Sequence, residues 1–246
     1  MIGICAIIKD CYVDNLIEWI EWHKLIGFDW FFIYDNGSKI PIKQTLSEYE
    51  NIIVYDYLGD VMQLNAYNDC IRKQKNSEQP KCEWIAFIDD DEFIVIESGD
   101  VKGFLSNKKS SGIGLNWHMF GSNNIKNKTD EKQIFKFTKH SFDNTDVNKH
   151  IKSIVRPELV HNFSSPHSCN YIQGNCLDIN GEIISYAFVN KQKNEVAWIN
   201  HYFCRSEEEY LHKINRGRSD CNIKHNIEAF NSVNVNHLKS LIFIKN

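Results

Sequence analysis

Four consecutive acidic residues, at positions 89–92, stand between two apolar runs in the stretch WIAFIDDDEFIVI. In an extended chain successive side chains point to opposite faces, so Asp89 and Asp91 would share one face and Asp90 would point to the other. Two carboxylates held this close repel each other unless a cation or several hydrogen-bond donors offset their charge, and a hard divalent ion is the usual partner. The spacing therefore predicts a two-carboxylate clamp for a divalent cation.

The alternative for the same residues is an acidic turn that caps the next helix, because short D-x-D patterns often occur by chance. Their position directly after a buried-looking strand favours a cleft over an open face. An EF-hand loop is excluded, since the required glycine and distal glutamate are missing. A phosphatase-like D-x-D is excluded as well, because Glu92 and Phe93 stand where a small hydroxyl residue is needed.

The first hundred residues alternate between strand-length apolar runs and helical patterns. Asn15 and Glu18 form a candidate capping box for the first helix, and Gly27 is placed to end it. This rhythm predicts an α/β fold in which a sheet carries helices on both faces and ligands gather at the carboxyl ends of the strands, where Asp35 and Asp89 fall. The predicted strands span 2–8, 30–34, 52–57 and 84–89, and the second predicted helix spans 61–75.

Beyond residue 110 this alternation loosens. Ser206 can cap a last helix, with Glu209 supplying the reciprocal contact. No repeat or linker divides the chain, so we expect one domain over 1–220 and a tail over 221–246 that packs on it or extends from it. Further predictions are strands at 112–120 and 133–138, a polar loop at 123–132, a histidine-rich segment at 149–170 and an apolar patch at 241–244.

Composition bounds the class of protein. At 246 residues, 42% hydrophobic and 24% charged, the chain has the make-up of a globular protein, and its net charge of -4 argues against a general nucleic-acid binder. No apolar run approaches the roughly 20 residues that cross a bilayer, and no positively charged leader precedes the first strand. We therefore expect a cytoplasmic protein and leave peripheral association with the inner membrane open. The eight cysteines never form a C-x-x-C pair, which favours reduced core residues over a zinc site or disulfides.

Seven stretches follow one another along the chain in a recognisable order: AIIKD (6–10), LIEWIEWHKLIGFDWFFIYDNGS (16–38), QLNAYNDC (63–70), WIAFIDDDEF (84–93), LNWHMFGS (115–122), KSIVRP (152–157) and INHYFCRSEEEYLHKINRG (199–217). Together they resemble glycosyltransferase family 92 and its bacterial relatives among the family-2-like enzymes. The resemblance implies a GT-A fold, which is Rossmann-like with a mixed central sheet flanked by helices. It also implies a sugar nucleotide donor, a divalent metal (Mn²⁺ or Mg²⁺) and transfer with inversion at the anomeric carbon.

The resemblance places a metal site around the D-x-D. Asp91 is the expected direct ligand, and Asp89 is expected nearer the ribose or a metal-bound water. His201 stands where GT-A enzymes commonly bring a histidine back to the metal, a role that neutral imidazole accepts, and His167 is the alternative. The ion would bridge the donor diphosphate and offset the charge that builds on the departing nucleotide.

Donor contacts are implied in the same way. Asp35 and Asn36 follow the second strand, where a carboxylate suits ribose hydroxyls, but their DNGS sequence is equally an ordinary turn. Lys213 and Arg216 lie three residues apart on one helix face and could clamp the diphosphate; a solvated basic helix end is the alternative. The full set of expected donor contacts is Lys9, Asp35, Asn36, Gln63 (preferred to Asn68), Asp89, Asp90, Lys213 and Arg216.

An acceptor side is implied by the motif at 115–122. Sugar rings pack their C–H faces on aromatic rings and leave hydroxyls to polar neighbours, which suits Trp117, His118, Phe120 and Ser122, although core packing explains an aromatic strand equally well. Inversion also requires a base that takes the acceptor hydroxyl proton. Asp143 is the first candidate to test; the other aspartates considered are Asp146, Asp178 and Asp220.

The leading hypothesis is an inverting, metal-dependent glycosyltransferase. It would move a sugar, expected from the resemblance to be galactose, from a UDP-sugar to a saccharide or lipid-linked saccharide of a surface glycan. A metal-dependent nucleotidyltransferase is the alternative enzyme, since paired acids and nucleotide-diphosphate folds serve both reactions. A non-catalytic glycan- or nucleotide-binding module is the third hypothesis.

Overall fold

The computed structural model describes residues 1–143, 145–189 and 196–239. Its strands are β1 (Ile2–Ile8), β2 (Trp30–Asp35), β3 (Ile52–Asp56), β4 (Trp84–Phe87), β5 (Glu92–Ile96), β6 (Gly112–Met119), β7 (Lys139–His140), β8 (Ile151–Val155), β9 (Val160–Phe163), β10 (Cys169–Tyr171), β11 (Cys176–Leu177), β12 (Ile183–Ile184), β13 (Ala197–His201) and β14 (Leu238–Lys239). Its α-helices are α1 (Val13–Leu25), α2 (Ile42–Thr45), α3 (Gln63–Lys75), α4 (Val101–Ser106), α5 (Gln133–Lys136), α6 (Glu207–Arg216) and α7 (Ile227–Val233), and 3-10 turns span Asp146–Lys149 and Pro157–Leu159.

A ten-stranded mixed sheet forms the centre of the fold. Strands β3, β2, β1 and β4 run parallel in that order, because helices α1, α2 and α3 return the chain between successive strands. Strand β8 lies antiparallel between β4 and β6, and β13 pairs with both β5 and β6. The predicted α/β fold, with a mixed central sheet flanked by helices, is confirmed.

Both faces of the parallel strands are buried, as the alternation along β1 shows. Ile4 and Ala6 belong to the core on one face, together with Trp19 of α1. Cys5 lies in the core on the opposite face, with Tyr67 of α3. Since helices cover both faces, polar side chains collect at the carboxyl ends of the strands.

The capping box predicted for the first helix is wrong. Helix α1 begins one turn earlier than that box requires, with Tyr12 at the N-cap and no side-chain cap. Asn15 and Glu18 are therefore buried inside the helix and serve distant segments instead: the Asn15 amide donates to Glu209 Oε1 at 2.8 Å. The prediction for the other end is confirmed, because the helix stops at Leu25 and Gly27 follows with a φ of +105°.

Two further predictions miss elements that depend on distant partners. The predicted strand at 133–138 is instead helix α5, whose first N–H groups, from Gln133 and Ile134, donate to the Glu18 carboxylate. The predicted strand at 84–89 stops at Phe87, and the chain turns through the acids into β5, a strand that was not predicted. Strand β5 exists because β13 pairs with it from a hundred residues away.

Several local predictions are confirmed. The polar stretch at 123–132 contains no helix or strand, and Ser206 and Glu209 form the capping box of α6. All eight cysteines are free thiols, and five of them are buried. Within the described ranges, no helix has the length and apolar character needed to cross a bilayer.

The described part of the tail contacts the rest of the chain. Phe230 of α7 packs against Cys204 and Tyr210, and β14 pairs antiparallel with β7. The predicted apolar patch at 241–244 lies outside the described residues.

Candidate functional site

Polar side chains converge in a cleft of about 850 Å³ beyond the carboxyl ends of β1 and β4. Lys9 directly follows β1, the acids follow β4, and His201 is the last residue of β13. The predicted residues that line this cleft are Lys9, Asn36, Gln63, Asp89, Asp90, Asp91, Trp117, His167, His201, Lys213 and Arg216. The fold thus brings most of the predicted site residues to one place.

Asp89 accepts hydrogen bonds from three side chains, the longest of them from the Tyr67 hydroxyl at 3.5 Å from Oδ1. Gln63 Nε2 donates to its Oδ1 at 2.7 Å, and Lys152 Nζ donates to its Oδ2 at 2.8 Å. Burial alone would lower the pKa of Lys152, but the carboxylates of Asp89 and Glu92 outweigh it and raise that pKa well above its ordinary value. Asp89 remains 33% exposed, the most open of the three aspartates.

Asp90 is bound by guanidinium groups and lines the same cleft as Asp89 and Asp91. Arg205 and Arg216 each approach one of its oxygens to 3.3 Å, and the Cys11 thiol donates to Oδ2 at 3.1 Å. Burial would raise the pKa of Asp90, but the two arginines outweigh it and lower the pKa. The prediction that Asp90 points away from its neighbours is wrong, because the acids lie in a turn rather than in a strand: Glu92 N donates to Asp89 O at 3.1 Å.

Asp91 lies between an ammonium and an imidazole. Lys213 Nζ donates to its Oδ2 at 2.6 Å, and His201 Nε2 is 3.5 Å from its Oδ1. Against the effect of burial, these two side chains lower the pKa of Asp91 well below its ordinary value. The Nδ1 atom of His201 is buried and, within the described chain, has no hydrogen-bond partner.

Glu92 lies beneath the three aspartates and is fully buried. Its Oε2 accepts from Asp89 N at 2.8 Å and lies 3.5 Å from Lys152 Nζ. Burial raises the pKa of Glu92 to about 7, although Lys152 acts in the opposite direction. This carboxyl group therefore fixes the turn that carries the aspartates without reaching the cleft itself.

The donor set fits a divalent ion at one part of the predicted metal site. Asp91 and His201 offer an oxygen and a nitrogen only 3.5 Å apart, which suits a shared ion. Asp89, predicted as the more distant partner, is instead held by Gln63 and Lys152. His167, the alternative ligand, also lines the cleft; its Nδ1 lies 2.9 Å from the Ile151 carbonyl oxygen, an arrangement that leaves Nε2 for a ligand.

The two donor-side residues after β2 have structural partners. Both oxygens of Asp35 accept backbone N–H groups, from Ser38 and Ile42, and Asp35 does not line the cleft. The turn interpretation accounts for these contacts. Asn36 lines the cleft while its amide donates to the carbonyl oxygens of Tyr57 and Gly59.

Only one member of the predicted acceptor motif reaches the cleft. Trp117 stacks on His150 with ring centroids 4.8 Å apart and lies 4.4 Å from the His201 ring. Side chains alternate along β6, so His118 is on the other face. Phe120 packs against the Tyr202 ring in the core, and Ser122 is buried beside the tail. Phe120 and Ser122 therefore fit the core-packing alternative better than an acceptor contact.

The predicted base, Asp143, also lies outside this cleft. Its side chain is 75% exposed, and its Oδ1 is 3.6 Å from His118 Nε2. Asp146 is 91% exposed, and the Asp178 carboxylate accepts N–H groups of its own turn. Of the four aspartates considered, Asp220 is the one that lines the cleft.

Sequence reasoning missed several residues that shape the site. Lys152 and Arg205 supply cations to the acids, and Glu92 supports their turn. Lys152 had a detectable signal, since a lysine inside the apolar run IKSIV needs a buried partner. Arg205 had none, because it follows the aromatic segment HYFC in a loop whose direction the sequence does not reveal. His225 lines the cleft as well and was not singled out.

This chain is similar in sequence to known proteins. The profile of Glycosyltransferase family 92 matches residues 4–236. A glycosyltransferase family 92 protein of Ricinus communis is 25% identical over 213 residues, which cover 82% of this chain and 35% of that protein. One of Oryza sativa subsp. japonica is 32% identical over 95 residues, 37% of this chain and 15% of that protein. The chain thus spans about a third or less of the length of these relatives.

Among solved structures, HddC from Yersinia pseudotuberculosis superposes with a TM-score of 0.46 and 9% identity, covering 86% of this chain and 97% of that chain. This similarity is too low to indicate a shared substrate or reaction.

Proposed function

The chain belongs to glycosyltransferase family 92, and on that premise we propose that it transfers a sugar, with inversion, from a UDP-sugar to a saccharide acceptor. The observation that carries the proposal is the cleft itself, where Lys213 and Arg216 meet the Asp91–His201 pair. Basic side chains beside a cation site match the charge of a nucleoside diphosphate. UDP-galactose is the first donor to test.

Asp91 and His201 are the proposed ligands of Mn²⁺ or Mg²⁺, with the remaining positions left for oxygen ligands of the donor and water. When bound, such an ion offsets the negative charge of the departing diphosphate. Asp89, which is the most exposed of the aspartates, is proposed to accept hydrogen bonds from the ribose hydroxyls.

Basic residues of α6 are proposed to bind the diphosphate. Lys213 contacts Asp91 and Arg216 contacts Asp90, so each can exchange a carboxylate oxygen for a phosphate oxygen when the donor enters. Lys9, at the end of β1, lies on the same cleft. Together these side chains would hold the leaving group in place during transfer.

Trp117 supports a saccharide acceptor, because its ring lines the cleft and sugar C–H faces pack on aromatic rings. Asp220 is proposed as the base in place of Asp143. Burial would raise the pKa of Asp220, but hydrogen bonds from Arg218 outweigh it and lower the pKa, so the carboxylate is ionised at neutral pH and Arg218 must release it before it takes the acceptor proton. Asp220→Asn should lower kcat by about 10²–10⁴-fold, whereas Asp143→Asn should not.

The products of the reaction test the proposal. The purified chain is incubated with UDP-galactose, UDP-glucose and UDP-N-acetyl sugars, with Mn²⁺ or with a chelator, and a panel of saccharide acceptors. Release of UDP together with an extended acceptor of inverted configuration supports it. Pyrophosphate from UTP and a sugar phosphate would point to nucleotidyl transfer, and tight binding without turnover would point to a binding module.

The acceptor and the location are part of the same proposal. Extension of a lipid-linked saccharide, and recovery of the chain with cytoplasmic or inner-membrane fractions, would agree with a role in surface-glycan synthesis. Modification of soluble proteins alone would contradict it.

A further inference from the structure

A second cluster of ligand-type side chains lies on the opposite face of β6 from Trp117. His118, His140 and Asp143 each offer one ligand atom, and these atoms all lie within 4.8 Å of one another. None of the three lines the donor cleft. We propose that they bind a transition-metal ion of the Zn²⁺ class, at a site separate from the Asp91–His201 pair.

The separation between His118 and Asp143 suits a tetrahedral ion. With bonds of about 2.0–2.2 Å, ligand atoms around Zn²⁺ lie about 3.3–3.6 Å apart. His118 Nε2 and Asp143 Oδ1 are 3.6 Å apart. Asp143 is largely exposed, so its side chain can adjust toward the ion without disturbing packing.

Each imidazole leaves one ring nitrogen for the cluster. The Nδ1 of His140 lies 2.8 Å from the Ser141 carbonyl oxygen, to which it donates, leaving Nε2 as the ligand atom. The Nε2 of His118 is buried and, in the part of the chain that the structure describes, has no hydrogen-bond partner. Both rings are buried, an environment that favours the uncharged imidazole. Neutral imidazole is the metal-binding form.

The ligand types also select the metal. Two imidazoles and one carboxylate, with a fourth position open, are typical of Zn²⁺ and its first-row neighbours, whereas Mg²⁺ and Mn²⁺ prefer oxygen-rich sites. His140 belongs to β7, which pairs with β14, and its carbonyl oxygen accepts from His237 N at 3.1 Å. An ion here would join β6 to β7, the strand that pairs with the tail.

Metal titration of the full chain tests the site without using activity. The chelator-treated protein is titrated with Zn²⁺ by calorimetry and with Co²⁺ by visible absorption, the latter because thiolate ligation by the cysteines would add a charge-transfer band that nitrogen and oxygen ligands lack. With Asp91→Asn in the chain, which removes the other proposed ion site, we expect one equivalent of tetrahedral, thiolate-free Co²⁺ and matching Zn²⁺ binding. Asp143→Ala should weaken that equivalent at least about tenfold, since loss of even an outer-shell partner costs about 10–100-fold.

Three further variants make the outcome unambiguous. His118→Ala with His140→Ala should abolish the equivalent, and circular dichroism shows whether this buried pair leaves the fold intact. His161→Ala, an exposed histidine, is the matched control and should bind as the parent chain does. Binding that Asp143→Ala leaves unchanged, or that Asp91→Asn removes, would overturn the proposal, as would a thiolate band in the Co²⁺ spectrum. The exposed Asp143 variant keeps the test valid even if the double histidine variant fails to fold.

Discussion

The aspartate cluster (Asp89, Asp90 and Asp91) and the histidine cluster (His118, His140 and Asp143) differ in whether neighbouring side chains satisfy their polar groups. Asp89, Asp90, Asp91 and Glu92 make four acids, and the side chains of Lys152, Arg205, Lys213 and Arg216 make four bases around them. In the histidine cluster, His118 Nε2 is buried without a hydrogen-bond partner among the described residues. Carboxylates at a strand end thus do not by themselves require an ion, whereas a buried imidazole nitrogen without a partner in the described chain, at His118 Nε2 as at His201 Nδ1 beside Asp91, leaves a ligand position to be filled.

The largest effect should come from breaking the charge balance of the aspartate cluster. Lys152→Met removes the ammonium that faces both Asp89 and Glu92, leaving buried acid without its partner, and should lower the free energy of unfolding by about 3–5 kcal/mol. Urea unfolding measures it. Lys149→Met is the control, because the Lys149–Asp146 bridge is at the surface and should contribute less than about 1 kcal/mol. Equal losses in the two variants would show that the buried lysine does not balance the acids.

The next effect concerns catalysis rather than stability. Asp91→Asn removes one charge from the proposed ion site, and we expect kcat/KM for transfer to fall by about 10²–10³-fold, comparable to the loss of one preorganised electrostatic contact. Initial rates of UDP release at saturating Mn²⁺ measure it. Asp146→Asn, at an exposed position, is the matched control. Full activity in Asp91→Asn would remove Asp91 from the mechanism.

A third prediction concerns the pH dependence of stability that the buried carboxyl group of Glu92 causes. The folded pKa of Glu92, about 7, exceeds the ordinary value of 4.5, so the folded chain binds this proton more tightly than the unfolded chain. The stability that results is complete below about pH 4.5 and is lost as the pH rises through about 7. Glu92→Gln cannot titrate, so its unfolding free energy relative to the parent should rise by up to about 3 kcal/mol across that window.

Urea unfolding of both proteins at steps between pH 4.5 and 8 measures this difference. Buried histidines such as His23 and His118 have lowered pKa values and change the pH dependence in the opposite sense, but both proteins carry them, so their effect cancels. A difference that is flat with pH would mean that folding does not raise the pKa of Glu92.

The parallel half of the sheet could be predicted because its signals are local. Strand β1 was predicted with its observed bounds, and β2, β3 and α3 were predicted within two residues, since apolar runs and helical periodicity specify each of them without reference to the rest of the chain. Helix α5 and strand β5 could not be predicted in this way. The first depends on Glu18 and the second on β13, and neither partner is near in sequence.

The residues of the candidate site also differ in whether local sequence signals could predict them. Acids at the end of a strand were found from the sequence, because strand position and residue type are both local. The cations opposite them were found only in part: Lys213 and Arg216 share a helix face, but Arg205 follows β13 in a loop and Lys152 lies on a strand that inserts antiparallel between β4 and β6. Charge pairing across such connections depends on tertiary structure, which residue spacing does not encode.

The smallest expected effect is on stability and comes from a change in the histidine cluster. Without transition metal, Asp143→Ala should change the free energy of unfolding by less than about 0.5 kcal/mol, because an exposed carboxylate 3.6 Å from a neutral imidazole contributes little. With Zn²⁺ at a hundred times its dissociation constant, the parent chain should gain about 2.7 kcal/mol, and a variant that binds tenfold more weakly should gain about 1.4 kcal/mol less. Thermal unfolding with and without Zn²⁺ measures both quantities. An equal gain in the two proteins would leave the aspartate cluster as the only metal-binding candidate in the described chain.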